Sequence, residues 1–272
     1  MMVLKRVSFF LLVASMACAQ EAKRFPVSEF GAVADGKTVN TVAIQKAIDQ
    51  AAASGGGVVE IPTGTWRSGS IFLKPGVDLH LAEGAVLLGS TEIEDYPKRE
   101  TRIEGHFEPW RLALVNAQGM DRARISCKGV LDGNGITFWA KFWQRRRENP
   151  KCTNLEVERP RLMFIDRCKD VRIEGISPRY SGFWNLHLYR CSDVLIQGLT
   201  ITAPTRHTQH RKTLVRNVTV KNASFPATPR CSRSSSGPTR RSIMKTSSST
   251  ASNSPGEVAA CSTSCLGPSF ST

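Results

Sequence analysis

Apolar and small side chains recur at the spacing of one helix face shortly after the start of the chain. Asn40 or Thr41 can cap the first turn, and the run Gly55 to Gly57 ends the pattern. The positions that share this face are Ile44, Ala47, Ile48, Ala51 and Ala52. This spacing predicts an α-helix with one buried face.

Short β-rich segments surround the helix, and each is closed by Gly, Pro or Asp. Phe25 to Gly36 predicts a short strand and a turn before the helix. The segments after it are Val58–Ile61, Gly69–Leu73, Val77–Leu81 and Ala85–Leu88. Because too few residues separate them for crossover helices, the pattern indicates an all-β sandwich, barrel or solenoid.

An internal repeat decides among these three. The pattern CxDVxIxG begins at Cys168 and again at Cys191, a period of 23 residues, and Arg216 to Val220 keeps the same apolar alternation more faintly. So short a period with β-type alternation is typical of one coil of a β-helix, in which apolar side chains stack into a continuous core. The predicted helix would cover its open end.

Charge along the chain of 272 residues is uneven. Of the net +14, most comes from residues 204–272, which hold 10 basic residues and a single acid, Glu257, whereas residues 1–203 hold 27 basic and 22 acidic residues. The mild charge of the first part fits an acidic glycan partner, or no charged partner, and gives no reason to expect nucleic acid.

The N-terminus has the pattern of a secretory signal over residues 1–19. Lys5 and Arg6 precede the apolar run Val7 to Val13, and Ala17 to Ala19 forms a small-residue cleavage site. We expect a secreted or periplasmic protein. A lipid anchor on Cys18 is the less favoured alternative, and no other apolar run approaches the ~20 residues of a membrane span.

Seven cysteines remain after Cys18, and an odd number argues against a complete disulfide framework. Cys168 and Cys191 hold equivalent repeat positions, which predicts stacked interior residues. Cys261 and Cys265 lie in a Ser/Thr-rich stretch without a His or acid as a further ligand, which argues against zinc. We expect no metal, no cofactor and a monomer.

Four segments resemble known β-helix proteins. Phe30 to Trp66 resembles the N-terminal signature of the pectate-lyase-like superfamily. Gly129 to Gly135 with Trp139, then Arg159 to Leu162, then Ser181 to His187 together resemble the polygalacturonases, glycoside hydrolase family 28. The resemblance runs from about Phe25 to Ala203 and implies a right-handed parallel β-helix. It also implies an acidic plant polysaccharide, pectin or polygalacturonate, as partner.

The resemblance further implies inverting hydrolysis of α-1,4-galacturonan by aspartates in an Asn-Thr-Asp-Gly stretch and an Asp pair one coil later. Thr205 to Thr213 and Ala227 to Ser232 stand at those places without an aspartate, and no Asp follows Asp193. Because this chemistry needs a carboxylic acid and a carboxylate, we expect no catalytic residue in this chain. A non-catalytic carbohydrate-binding β-helix is the alternative, and a calcium-dependent lyase ranks last because no acidic cluster occurs in the coils.

The remaining assignments concern the tail and the site. Residues 226–272 are rich in Ser, Thr, Pro and Arg, which predicts a disordered tail after a partial β-helix over 20–225. A changed reading frame explains this composition better than a natural linker does.

The predicted substrate-binding residues are Trp184, Asn185 and His187, although Trp184 could pack on the coil and His187 could be a satisfied polar group. The acids Asp132, Asp166, Asp170 and Asp193 are expected at turns, and Arg145 to Arg147 in a solvated loop.

Overall fold

The computed structural model describes residues 22–203 and two further strands, residues 213–220 and 257–260. Two α-helices are present in these parts, α1 (Thr41–Ala53) and α2 (Ile136–Glu148), with short 3-10 turns at Val27–Phe30 and Ile93–Asp95. The strands are β1 (Arg24–Pro26), β2 (Asp35–Val39), β3 (Gly57–Ile61), β4 (Gly64–Ser68), β5 (Ile71–Phe72), β6 (Val77–Leu81), β7 (Ala85–Gly89), β8 (Lys98–Ile103), β9 (His106–Arg111), β10 (Val115–Gln118), β11 (Arg124–Ser126), β12 (Val130–Asp132), β13 (Met163–Asp166), β14 (Lys169–Glu174), β15 (Ser177–Arg179), β16 (Leu186–Tyr189), β17 (Ser192–Ala203), β18 (Thr213–Val220) and β19 (Glu257–Ala260).

Parallel pairing between successive coils builds three faces around one core. The first face runs β1-β3-β6-β11-β14-β17 and the second runs β2-β4-β7-β12-β15. The third runs β5-β10-β13-β16, and β19 pairs antiparallel with β16 at its edge. The long strand β17 also pairs with β15 and so joins the first two faces. Each coil contributes one short strand to a face, so the predicted parallel β-helix is confirmed.

The repeat predicted from Cys168 and Cys191 appears as two stacked coils. Val171 pairs with Val194 and Ile173 with Ile196 in parallel register, so the apolar positions lie on top of one another in the core. Asp170 and Asp193 have positive φ angles of 50° and 52°. This left-handed conformation is tolerated by Asp better than by most residues, which explains why the motif keeps Asp at that place.

The predicted helix is confirmed as α1, and its buried residues are Ile44, Ala47, Ile48 and Ala51. They join the same core cluster as Val59 and Leu79 of β3 and β6, so α1 lies over the first coils, as the sequence indicated. A helix turns one apolar stripe toward its neighbour, and here the neighbour is the end of the solenoid.

Several elements were not predicted, and two of them lie outside the coils. The antiparallel hairpin β8-β9 and the helix α2 interrupt the coils between β7 and β13. Arg145, Arg146 and Arg147 occupy the last turn of α2, so their assignment to a loop was wrong. The physical reason is that Phe138 and Phe142 bury one face of α2, and cations at a helix C-terminus are favoured by the helix dipole.

The cysteine expectations can be compared with the four cysteine side chains that the structure describes, all of which are free thiols. Cys168 is buried and Cys191 is half-buried above it. Burial raises the pKa of both thiols, that of Cys191 to about 11. Both therefore behave as interior residues, as the repeat predicted.

Several expectations fall outside the described residues: the signal segment 1–19, the Cys261/Cys265 pair and most of the tail 226–272. Within the tail, residues 257–260 form β19 by pairing with β16, so the predicted disorder was wrong for them. The faint third repeat copy lies in β18, which pairs antiparallel with β17 and so does not continue the parallel stack. In the part of the chain that is described, no helix has the length and apolar character needed to cross a membrane.

Candidate functional site

Three segments that are far apart in the sequence meet beside the third face. The Trp139 indole of α2 donates a hydrogen bond to the Ser181 carbonyl oxygen (2.8 Å), and the Leu162 amide donates to the Trp184 carbonyl oxygen (2.9 Å). The Gly135 amide donates to the Tyr180 carbonyl oxygen (2.7 Å). We call this assembly of Gly129–Gly135, Trp139, Arg159–Leu162 and Ser181–His187 the motif cluster.

Close backbone contact explains the glycine at the start of α2. A Cβ atom on Gly135 would lie 2.5 Å from the Tyr180 carbonyl oxygen and 2.5 Å from the Gly182 nitrogen. Both are backbone atoms that cannot turn aside, so a side chain at this position would push the first and third segments apart. Gly135 is therefore part of what holds the motif cluster together.

Arg161 is the central polar residue of the motif cluster. It is 1% exposed, and its guanidinium donates to the Arg102 carbonyl oxygen (2.7 Å) and the Thr101 hydroxyl (2.9 Å), both in the β8-β9 hairpin. It also contacts Nδ1 of His187 at 2.9 Å and lies 4.1 Å over the Phe164 ring. Arg161 therefore ties the hairpin to the outward side of the third face.

The contact with Arg161 fixes the protonation state of His187. A guanidinium can only donate hydrogen bonds, so Nδ1 of His187 must accept and the imidazole must be neutral, with its proton on Nε2. The ring is 0% exposed and packs against Phe164 (centroids 4.9 Å apart) and Trp184 (4.7 Å). His187 thus has the contacts of a satisfied polar group in this structure.

Trp184 and Asn185 lie just before β16. Trp184 is half-buried, and one ring face stacks on Phe183 with centroids 5.0 Å apart. Asn185 is 5% exposed, and its side-chain oxygen has no hydrogen-bond partner among the described residues. The structure therefore brings all three predicted binding residues together. Their contact with a sugar stays a prediction.

Arg159 is a second buried arginine and has different surroundings. Its guanidinium lies between the rings of Phe142 (4.0 Å), Trp139 (4.6 Å) and Phe183 (4.6 Å). Burial lowers the pKa of Arg159 to about 10. It donates to the Asn154 carbonyl oxygen at 2.9 Å, while its Nη1 has no partner among the described residues. This cation holds α2 against the motif cluster through its aromatic neighbours.

In the sequence, Arg159 and Arg161 only form part of a segment that resembles a known family, and no role was predicted for them. Their burial was not predicted either. Arginine is rarely buried, so two arginines around a proline before a strand could have been taken as a signal of polar contacts in the interior.

The four aspartates expected at turns lie instead at or next to the ends of strands, so that expectation was wrong: they are Asp132 in β12, Asp166 in β13, Asp170 in β14 and Asp193 in β17. Three of them have side-chain partners. Asp132 accepts a hydrogen bond from the Asn134 amide (2.8 Å) and pairs with Arg179 (2.6 Å). Asp166 pairs with Arg167 at 3.0 Å, and Asp170 accepts from Arg124 at 2.8 Å. Among the residues with described side chains, no three His, Cys, Asp or Glu residues converge to hold a metal ion.

Comparison with known proteins places these segments in context. A family model described as Glycosyl hydrolases family 28 matches residues 85–226, and one described as Rhamnogalacturonase A/epimerase, pectate lyase-like matches residues 25–93. The "Probable polygalacturonase" of Vitis vinifera is 29% identical over 191 residues, which are 65% of this chain and 36% of that protein. The exo-poly-alpha-D-galacturonosidase of Dickeya chrysanthemi is 39% identical over 118 residues, 40% of this chain and 19% of that protein. The chain thus spans about a third or less of the length of these relatives.

A solved structure shows the same fold. The hyperthermoactive exopolygalacturonase from Thermotoga maritima aligns with a TM-score of 0.59 and 23% identity, covering 70% of this chain and 50% of that one. The motif cluster after residue 85 lies within the segment matched by the first family model.

Proposed function

Because the chain belongs to glycosyl hydrolases family 28, we propose that it acts on the α-1,4-linked galacturonan of pectin. The observation that carries this proposal is the motif cluster, in which three separated segments of the matched region join through buried polar and aromatic side chains and leave Trp184 half-buried. The relatives named as polygalacturonase and exo-poly-alpha-D-galacturonosidase support the same substrate class.

In this proposal the described coils bind and orient the sugar. Trp184 offers an amphipathic ring at the surface, and aromatic rings of this kind stack on the apolar face of a sugar. Asn185 has a side-chain oxygen that lacks a donor among the described residues, but that oxygen is buried, so a sugar hydroxyl can reach it only if neighbouring side chains move. His187 packs edge to face against the Trp184 ring and so positions it.

Hydrolysis needs a further pair of carboxyl groups. Inversion requires one carboxylic acid to protonate the leaving oxygen and one carboxylate to activate water, roughly 6.5–9.5 Å apart. Asp132, Asp166 and Asp170 are already engaged by arginines, so we do not assign them these roles. The alternative function is therefore a carbohydrate-binding β-helix that holds galacturonan without cleaving it, favoured by the absence of Asp after Asp193.

One experiment separates the two functions. The purified full chain is incubated with polygalacturonate, released reducing ends are measured, and binding is measured by isothermal titration calorimetry with the same polymer. Reducing ends that increase with time support the hydrolase, and NMR of the first product should then show the inverted anomer. Binding without reducing ends supports the carbohydrate-binding function, and the lack of both refutes the proposed substrate.

The tryptophan can be tested in the same assays. Trp184→Ala should weaken binding of polygalacturonate, whereas Trp184→Phe keeps a flat ring and should retain most of the affinity. Equal losses in both variants would show that the ring does not stack on the sugar.

We also propose export of the protein, because its polymeric substrate is extracellular and residues 1–19 have the composition of a signal. N-terminal sequencing of protein recovered outside the cytoplasm should begin at Gln20. A sequence that begins at Met1 would contradict export by this route.

A further inference from the structure

The β8-β9 hairpin carries an exposed aromatic residue above the end of β16. Phe107 is 55% exposed, and it is the aromatic member of the large apolar side chains that are exposed within residues 22–203. Its ring meets the Tyr189 ring edge to face, with centroids 6.0 Å apart. Tyr189 is buried in a small cluster with Ala113 and Phe164, so Phe107 packs against a ring that is itself held in place.

Two guanidinium groups lie against these rings. The Arg102 guanidinium is 5.4 Å from the Phe107 ring centre and 5.3 Å from that of Tyr189. The Arg190 guanidinium is 5.1 Å from the Tyr189 ring and exposed to solvent. We call Arg102, Phe107, Tyr189 and Arg190 the hairpin cluster.

The hairpin cluster is held in place by the motif cluster. Arg161 donates to the Arg102 carbonyl oxygen and contacts His187, which is two residues from Tyr189 on β16. The other side of the hairpin is anchored by Trp110, which donates to the Arg159 carbonyl oxygen at 3.1 Å. The aromatic ring and the cations are therefore presented by a rigid support rather than by a loose loop.

An exposed ring bordered by cations has a specific complementarity. Contact between water and the apolar face of Phe107 is unfavourable, whereas the C–H groups on one face of a pyranose can pack against that ring. The planar guanidinium of arginine fits a carboxylate with two parallel hydrogen bonds. A ligand that carries a pyranose face and a carboxylate on the same unit matches both features, which a neutral sugar does not.

We propose that the hairpin cluster is a subsite for one uronate unit, with the sugar on Phe107 and its carboxylate on Arg190. The inference rests on the proposed function, which it deepens by naming residues that select the charged over the esterified unit. Arg102 and Tyr189 support the ring and add positive potential.

The test uses the full chain and isothermal titration calorimetry with two polymers, unesterified polygalacturonate and fully methyl-esterified pectin. Phe107→Ala should weaken binding of polygalacturonate about fivefold, the order of one exposed aromatic contact. Arg190→Gln should weaken it similarly and reduce the dependence of binding on salt, because an exposed ionic contact is screened. The preference for the unesterified polymer should shrink in Arg190→Gln.

Two matched controls lie elsewhere on the surface. Val42→Ala removes an apolar side chain that is 68% exposed at the start of α1, and Lys128→Gln removes an exposed cation that pairs with Glu83. Both should leave affinity and salt dependence unchanged. Thermal unfolding of each variant checks folding, and Arg190→Gln still tests the inference if Phe107→Ala does not fold.

The outcomes distinguish a failure of the hairpin subsite from a failure of the proposed function. If the wild type binds and neither variant weakens binding, or if the controls weaken it equally, the hairpin subsite is refuted and the proposed function is not. If the wild type binds neither polymer, both the hairpin subsite and the proposed function are refuted. Loss in the two variants together with unchanged controls supports the subsite.

Discussion

Replacing Arg161 by methionine tests whether one buried cation joins the hairpin to the solenoid. Methionine has similar length and no donor, so the change removes the hydrogen bonds to the Arg102 carbonyl oxygen and the Thr101 hydroxyl and the contact with His187. The control is Arg159→Met, because Arg159 is equally buried at 1% exposure but lies in an aromatic cage.

The magnitudes follow from the groups that are left behind. Arg161→Met leaves three acceptors without their donor, two of them side-chain groups of the buried residues Thr101 and His187, and the expected destabilisation is about 3–5 kcal/mol. Arg159→Met frees two backbone carbonyl oxygens and loses the cation contacts with three rings, but the thioether still packs on those rings and a cation whose pKa is depressed by burial is removed. Its cost should therefore be smaller, about 2 kcal/mol.

Urea unfolding followed by circular dichroism gives the free energy of unfolding of each variant by linear extrapolation. Amide hydrogen exchange adds a local readout: exchange across residues 98–111 should accelerate in Arg161→Met and much less in Arg159→Met. Equal costs in the two variants, or a cost below about 1 kcal/mol for Arg161→Met, would refute the reasoning, because the hydrogen bonds of Arg161 would then contribute no net stability.

Three further predictions concern the core and its titrating groups. Ile173→Ala removes a fully buried side chain from the stacked coils and should lower the free energy of unfolding by about 2–5 kcal/mol in urea titrations. Cys191, whose pKa burial raises to about 11, should react with iodoacetamide at pH 8 only after urea unfolds the chain; rapid reaction of the native protein would contradict its burial. Burial opposes ionisation of Glu158, but hydrogen bonds from Lys98 and Arg111 outweigh it and lower its pKa below 4.5. Its charge therefore stabilises the fold above that pH and is lost as pH falls through the folded pKa, so Glu158→Gln should flatten the loss of stability between about pH 5 and pH 3.

The coils could be predicted from the sequence because their pattern is local. Inward residues alternate along each short strand, and the 23-residue repeat places Val171 over Val194 and Ile173 over Ile196 without further information. Asp170 and Asp193, which hold equivalent positions in the repeat, also share a positive φ angle. Likewise, the spacing of Ile44, Ala47 and Ile48 was sufficient for α1.

The site and the hairpin depended on contacts that no period encodes. Arg161 meets His187 across 26 positions and meets Thr101 and Arg102 across 60 and 59. Such pairings arise only when an insertion between coils folds back over a face of the solenoid. Nothing in the local sequence determines which residues its side chains will contact. The sequence by itself determined the solenoid and its repeat. Only the tertiary structure decided that two arginines are buried, that His187 is neutral and that Phe107 is exposed among cations, because each depends on which distant groups exclude water from it.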